Sequence, residues 1–125
     1  MRALILWSSS LLILLAWGPP ALPQVGCWRA EEFATNSLNH AKRLYNVDSM
    51  EEARLYSDNL LRAAQDTLKA ATQCDCPEAQ AYAEETIKYA RKARQAPGLT
   101  EVRIEAENAM GSSEDALKAA VACGD

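Results

Sequence analysis

The chain has 125 residues, of which 49% are hydrophobic and 24% charged, with a formal net charge of −4. Arg2 is the one cation in residues 1–26, and the remaining Lys and Arg are outnumbered by 17 Asp and Glu; a chain with no basic face for phosphates is not expected to bind nucleic acid. About 100 residues beyond the N-terminal segment make one small domain, whose core alone gives modest stability.

Residues 1–26 read as a secretory signal peptide and short leader. Arg2 precedes an apolar run from Ala3 to Trp17, broken only by Ser8, Ser9 and Ser10, and Gly18-Pro19-Pro20-Ala21-Leu22-Pro23 follows. This is the order of charged start, short apolar segment and breaker-rich loop. The run falls short of the roughly 20 residues that span a bilayer, so a retained membrane helix is the weaker reading. The mature chain is expected to begin between Ala21 and Cys27, secreted or periplasmic. Val25-Gly26-Cys27 offers an alternative, a lipoprotein anchored at Cys27. Against it, Gln24 stands where lipidation sequences usually carry an aliphatic residue, three prolines intervene, and Cys27 has a counterpart, Cys76, that cannot be lipidated in this way. Membrane contact is expected only with that lipid or with a retained signal.

From Cys27 onward the chain repeats itself. Cys27 to Cys74 and Cys76 to Cys123 are equal steps, and sliding the sequence by 49 positions superposes all four cysteines without a gap. Thirteen positions are then identical, Ala30/Ala79, Ala41/Ala90, Arg54/Arg103 and Asn59/Asn108 among them, and Phe33/Tyr82, Ser37/Thr86 and Leu38/Ile87 keep their character. The composition would give about four identities by chance. Residues 27–74 and 76–125 are therefore read as two copies of one unit within a single domain, 27–125.

Each unit is expected to be a helical hairpin. In its first helix Ala30, Phe33, Ala34, Leu38, Ala41, Leu44 and Tyr45 recur in steps of three and four, matched by Ala79, Tyr82, Ala83, Ile87, Ala90 and Ala93, the spacing of one helical stripe. The second helix shows Met50, Ala53, Leu60, Leu61, Ala64, Leu68 and Ala71, matched by Leu99, Val102, Ala106, Met110, Leu117 and Ala120. Ser49 with Glu52 reads as a capping box opening it, and Pro97-Gly98 makes the corresponding turn in the second unit. Pro77 suits the first turn of the third helix, where its missing N–H had no partner. Gly111-Ser112-Ser113 should leave the fourth helix continuous but softer or slightly kinked, glycine costing about 1 kcal/mol against alanine. Gly124 is the expected stop. The whole is an all-α, up-down-up-down four-helix bundle of two tandem hairpins, each closed by cysteines at its ends.

Helices of similar length bring Cys27, Cys74, Cys76 and Cys123 to one pole, with both hairpin turns at the other. Behind a signal sequence these four are expected to be oxidised. Cys74–Cys76 would close a strained ring around Asp75. Cys27–Cys74 with Cys76–Cys123 is preferred over Cys27–Cys76 with Cys74–Cys123, because duplicating an already closed module leaves each unit with its own staple. A zinc site is the competing use, but Cys74-Asp75-Cys76 is tighter than the usual spacing within a ligand pair.

No catalytic constellation is present. His40, the only histidine, has Tyr89 as its counterpart and is expected at the boundary or in solvent. There is no His-x-x-x-His pair, glycine-rich phosphate loop or nucleophile elbow. Arg54 with Asp58, Arg103 with Glu107, Asp66 with Lys69 and Asp115 with Lys118 are spaced as surface ion pairs. Alanine makes up 20 of the 99 residues after Gly26, which favours close helix packing over a cofactor cavity, so no cofactor or metal is expected.

A specific job belongs where the copies differ. Tyr45 and Tyr56 stand against Arg94 and Glu105, giving the first hairpin aromatic groups suited to anchoring a protein. Lys88, Arg91 and Lys92, with Arg94, make the third helix basic, against the acidic Glu101, Glu105, Glu107, Glu114 and Asp115 of the fourth. These five residues, Tyr45, Tyr56, Lys88, Arg91 and Lys92, are the candidate partner-binding set. The function expected is a small exported, disulfide-stabilised structural or protein-interaction module without catalysis. The alternative is a metal-binding or thiol-redox protein using the cysteine pole.

Overall fold

A computed structural model describes residues 26–124; the expected signal segment, residues 1–25, lies outside the described residues. Four helices account for nearly all of it: α1 (Trp28–Tyr45), α2 (Met50–Gln73), α3 (Pro77–Gln95) and α4 (Leu99–Gly124). α1 packs along α2, α2 along α3, α3 along α4 and α4 along α1, while the α1–α3 and α2–α4 diagonals barely touch. The helices thus stand in a ring, in chain order.

Local chemistry sets each turn. Ser49 precedes α2 in an extended conformation and its side-chain oxygen accepts a hydrogen bond from the Glu52 N–H at 3.1 Å, satisfying one of the donors a helix start leaves unpaired. Pro77 occupies the first turn of α3. Between α2 and α3 the chain turns within Cys74, Asp75 and Cys76. The Cys76 N–H donates to Ala71 C=O at 2.9 Å and the Asp75 N–H to Thr72 C=O at 3.2 Å. That double bond pattern is a Schellman ending, and it puts Asp75 in the left-handed region, at φ 53°. α4 runs unbroken through Gly111, Ser112 and Ser113; Gly111 is exposed and a Cβ there would meet nothing.

The core is narrower than the stripe read from the sequence and adds Ser37, Ser57, Thr67, Thr86 and Ser113 to its alanines. Buried positions in α1 are Ala30, Ala34, Ser37, Ala41 and Leu44, a strict alternation of four and three. α3 repeats it with Ala79, Ala83, Thr86, Ala90 and Ala93 among its buried residues, each 49 positions on. Within α2 the same alternation runs Ala53, Ser57, Leu60, Ala64, Thr67 and Ala71, and within α4 Val102, Ala106, Ala109, Ser113, Ala116 and Ala120. Phe33, Leu38, Leu61, Leu68, Met110 and Leu117 are only half-buried and Tyr45 is exposed. A seam of alanine, serine and threonine lets backbones approach until only small side chains fit the axis, and larger ones are pushed to its flanks. The two middle layers, from Ala34 with Thr67 to Thr86 with Ser113, leave no room for a water molecule.

Along its length the seam has three zones. At the turn end Leu44, Leu60, Val47 and Val102 supply the large apolar groups, flanked by Met50, Tyr56 and Tyr89. At the other end Cys27 and Cys76 pack among Ala30, Ala71, Ala79 and Ala120. Between them lies a belt of hydroxyls: Ser37 and Thr67 are 3.4 Å apart, joining α1 to α2, and Thr86 and Ser112 are 2.6 Å apart, joining α3 to α4. Thr67 also donates to Ala63 C=O at 2.8 Å. Ser57 and Ser113 are buried with hydroxyls that find no partner.

Candidate functional site: the cysteine pole and two matched grooves

Cys27 is bonded to Cys74 and Cys76 to Cys123, with no free cysteine among the described residues. Each bridge ties the start of one helix to the end of the next, with Cα separations of 5.4 and 5.9 Å. The loop each closes is worth about 4 kcal/mol in the chain-entropy account. The lipoprotein alternative does not fit this arrangement, since the Cys27 sulfur that a lipid would occupy is spent in a disulfide. The sulfurs of Cys27, Cys76 and Cys123 all lie within 4.8 Å of one another, so the two bridges are neighbours. In disulfide form they offer no thiolate to a metal.

The residues of partner interest divide. Tyr56 packs against the apolar core with part of its ring exposed, while Tyr45 points out at the end of α1, 39% exposed. Lys88, Arg91 and Lys92 are all exposed on α3. Arg94 instead donates to Asp58 of α2. Lys118 pairs with Glu114 at 3.5 Å. Neither is among the four ion pairs expected from spacing: Asp58 takes its cation from the neighbouring helix and Glu114 from its own, because an exposed pair is weak and easily outcompeted.

Tyr56 and Lys92 line two corresponding grooves. Lys42, Arg43, Asn46, Val47, Glu52 and Tyr56 line a groove of about 320 Å³ between α1 and α2. Lys92, Gln95, Ala96, Pro97, Glu101, Ile104 and Glu105 line one of about 390 Å³ between α3 and α4. Five lining pairs are 49 residues apart: Arg43/Lys92, Asn46/Gln95, Val47/Ala96, Glu52/Glu101 and Tyr56/Glu105. Each groove therefore sets a cation, a carboxylate and a side-chain amide over a small apolar floor. In the second, the Glu101 carboxylate lies 3.1 Å from where a Cβ of Gly98 would stand. Leu55 and Ile104, also 49 apart, are 57% and 56% exposed. Tyr56 stands out in the sequence as a difference between the copies and Lys92 as part of the basic run of α3; the grooves are visible only once the flanking Arg43, Asn46 and Glu52 are tested against the same offset.

His40 sits apart, in a shallow groove between α1 and α2 with Phe33, Asn36, Asn59, Arg62 and Asp66. Its Nδ1 is buried without a hydrogen-bond partner, and burial together with the charge of Arg43 lowers its pKa. No nucleophile is oriented by it.

No protein family matches the chain, and neither a curated protein nor a solved structure is significantly similar to it. No helix among the described residues is long and apolar enough to cross a membrane.

Proposed function

We propose that this chain is an exported, non-catalytic interaction module: an up-down-up-down bundle of two tandem hairpins that presents one binding groove per hairpin. The observation that carries the reading is the correspondence of the two grooves across five lining pairs. Helices in ring order put the α1–α2 groove and the α3–α4 groove on opposite faces, near the same pole. Opposed charges, an amide and an apolar floor suit an extended peptide segment of mixed charge, whose backbone the amide pairs and whose side chains the ions select. The partner is accordingly a protein, held at two places by one chain. Export rests on the charged, apolar and breaker-rich order of residues 1–26 and agrees with two disulfides, which persist in oxidising compartments.

Affinity capture from the extracytoplasmic fraction, with the oxidised protein as bait, tests the reading. One partner is expected at two copies per chain, reduced to one by Arg43→Glu or Lys92→Glu and lost in the double variant. Retention indifferent to both substitutions, or no retained protein, overturns it. Intact mass of the secreted form tests export, with a mature start between Ala21 and Cys27 expected.

A further inference from the structure

The cysteine pole holds more than two staples. Cys27 Sγ lies within 4.8 Å of both sulfurs of the other bridge. Cys27 and Cys76 are buried, whereas Cys123 is exposed. Cys27 and Cys76 each stand at the cap of a helix start, α1 and α3, and neither helix has a side-chain cap. Unpaired N–H groups at a helix start favour a thiolate over a thiol, which makes Cys76 a good leaving group and keeps it ionised for a second attack.

We propose that this pole is a thiol–disulfide exchange site that accepts a low-molecular-weight thiol at Cys123 and passes the electron pair across to the other hairpin through Cys27. The external thiolate attacks Cys123 Sγ; the bond to Cys76 breaks, a mixed disulfide forms at Cys123, and Cys76 leaves as a thiolate. Cys76, now free to rotate about its side-chain bonds, attacks Cys27 Sγ. The Cys27–Cys74 bond breaks, Cys27–Cys76 forms, and Cys74 departs as a thiolate that takes a proton from water. The thiol that enters is the only reductant, and its two electrons end on Cys74. The inference is independent of the grooves at the far pole, so its failure leaves the interaction reading standing.

Cys123→Ser reproduces the state after the first step, with Cys76 unpaired; Cys76→Ser leaves Cys123 unpaired beside the same Cys27 sulfur. Each folded variant is equilibrated without added thiol, alkylated and mapped by mass spectrometry. Label is expected on Cys74 as well as on the unpaired cysteine. Label on Cys74 in the Cys123→Ser variant alone matches the proposed route, whereas label on Cys74 only in the Cys76→Ser variant makes Cys123 the attacking sulfur and overturns it. Label confined to Cys76 in the first variant and to Cys123 in the second overturns it. If a variant does not fold, the wild type decides: with substoichiometric reduced glutathione, the expected products are an adduct at Cys123, a free Cys74 and a peptide joining Cys27 to Cys76. An adduct whose free thiol remains at Cys76, or no adduct at all, sinks the idea.

Discussion

Arg94 of α3 donates to Asp58 of α2, an ion pair that crosses from the second hairpin to the first. Moved by 49 positions, the same two places hold Tyr45 of α1 and Glu107 of α4, which cannot form such a pair. The α2–α3 face therefore has an electrostatic link that the α4–α1 face lacks. Both side chains are substantially exposed, at 53% and 38%, so the link is screened. Arg94→Ala and Asp58→Ala should each cost no more than about 1 kcal/mol. A double-mutant cycle in urea should find the two effects coupled, and uncoupled effects would remove the link from the account.

The partnerless hydroxyls of Ser57 and Ser113 each occupy a seam position where the other copy has alanine, Ala106 and Ala64. A buried hydroxyl without a partner keeps its desolvation cost. Ser57→Ala and Ser113→Ala are expected to raise stability by about 0.5–2 kcal/mol each, read as a higher denaturation midpoint at unchanged m-value. A loss above about 1 kcal/mol would mean that the hydroxyls are bonded after all.

Tight helix approach predicts that overfilling the seam and emptying it both destabilise, while its exposed flank tolerates change. Ala83 is buried on the α3 seam between layers that exclude water, so Ala83→Leu should destabilise by about 1–3 kcal/mol or more through forced separation of the helices. Leu60→Ala, removing one of the largest buried side chains, should cost about 2–5 kcal/mol through the cavity left behind. Leu55→Ala, at an exposed site, should change stability by less than about 0.5 kcal/mol. Thermal unfolding of the three variants would rank them, and an Ala83→Leu variant as stable as wild type would contradict the packing.

His40 gives the fold a pH dependence of known sign. Burial, then Arg43, lowers its pKa below the 6.5 of an unperturbed histidine. In the window between the lowered folded value and 6.5 the unfolded chain binds the proton more readily, so stability rises with pH there. The contribution of neutral His40 is complete above 6.5 and is lost as pH falls below it. His40→Gln should flatten this part of the profile. Urea midpoints of wild type and variant that run parallel from about pH 5 to about pH 8 would remove His40 as the cause.

Helix positions, turns and the sulfur pairing were legible because each rests on a short-range rule or on the 49-residue offset. Ser49 caps α2 as its spacing with Glu52 requires, and the same offset that pairs Cys27 with Cys76 also pairs each seam residue of α1 with one of α3. The composition of the seam was not legible by hydrophobicity, which ranks Leu38, Leu61, Leu68 and Leu117 above Ser37, Thr67 and Thr86. Only the approach distance of the helices decides between them, and that distance follows from the small residues acting together. The four-three alternation of mostly Ala, Ser and Thr, kept in both copies and interrupted only by Leu44, Leu60 and Val102 near the turn end, is the signal that carries it. The grooves were half legible for a related reason: Tyr56 differs between the copies and Lys92 belongs to the basic run of α3, so both draw notice, while the matched residues beside them look like ordinary solvated side chains until two helices bring them together.

A methyl group placed on Gly124 would stand 3.8 Å from the Cys27 backbone nitrogen, so the two ends of the bundle all but meet. Tags, labels or carrier proteins joined at either end would emerge beside the sulfurs and leave the groove-bearing pole unobstructed. The same closeness would let a short linker fuse the ends and a new opening be cut at Pro97-Gly98, yielding a circularly permuted chain with every seam layer intact.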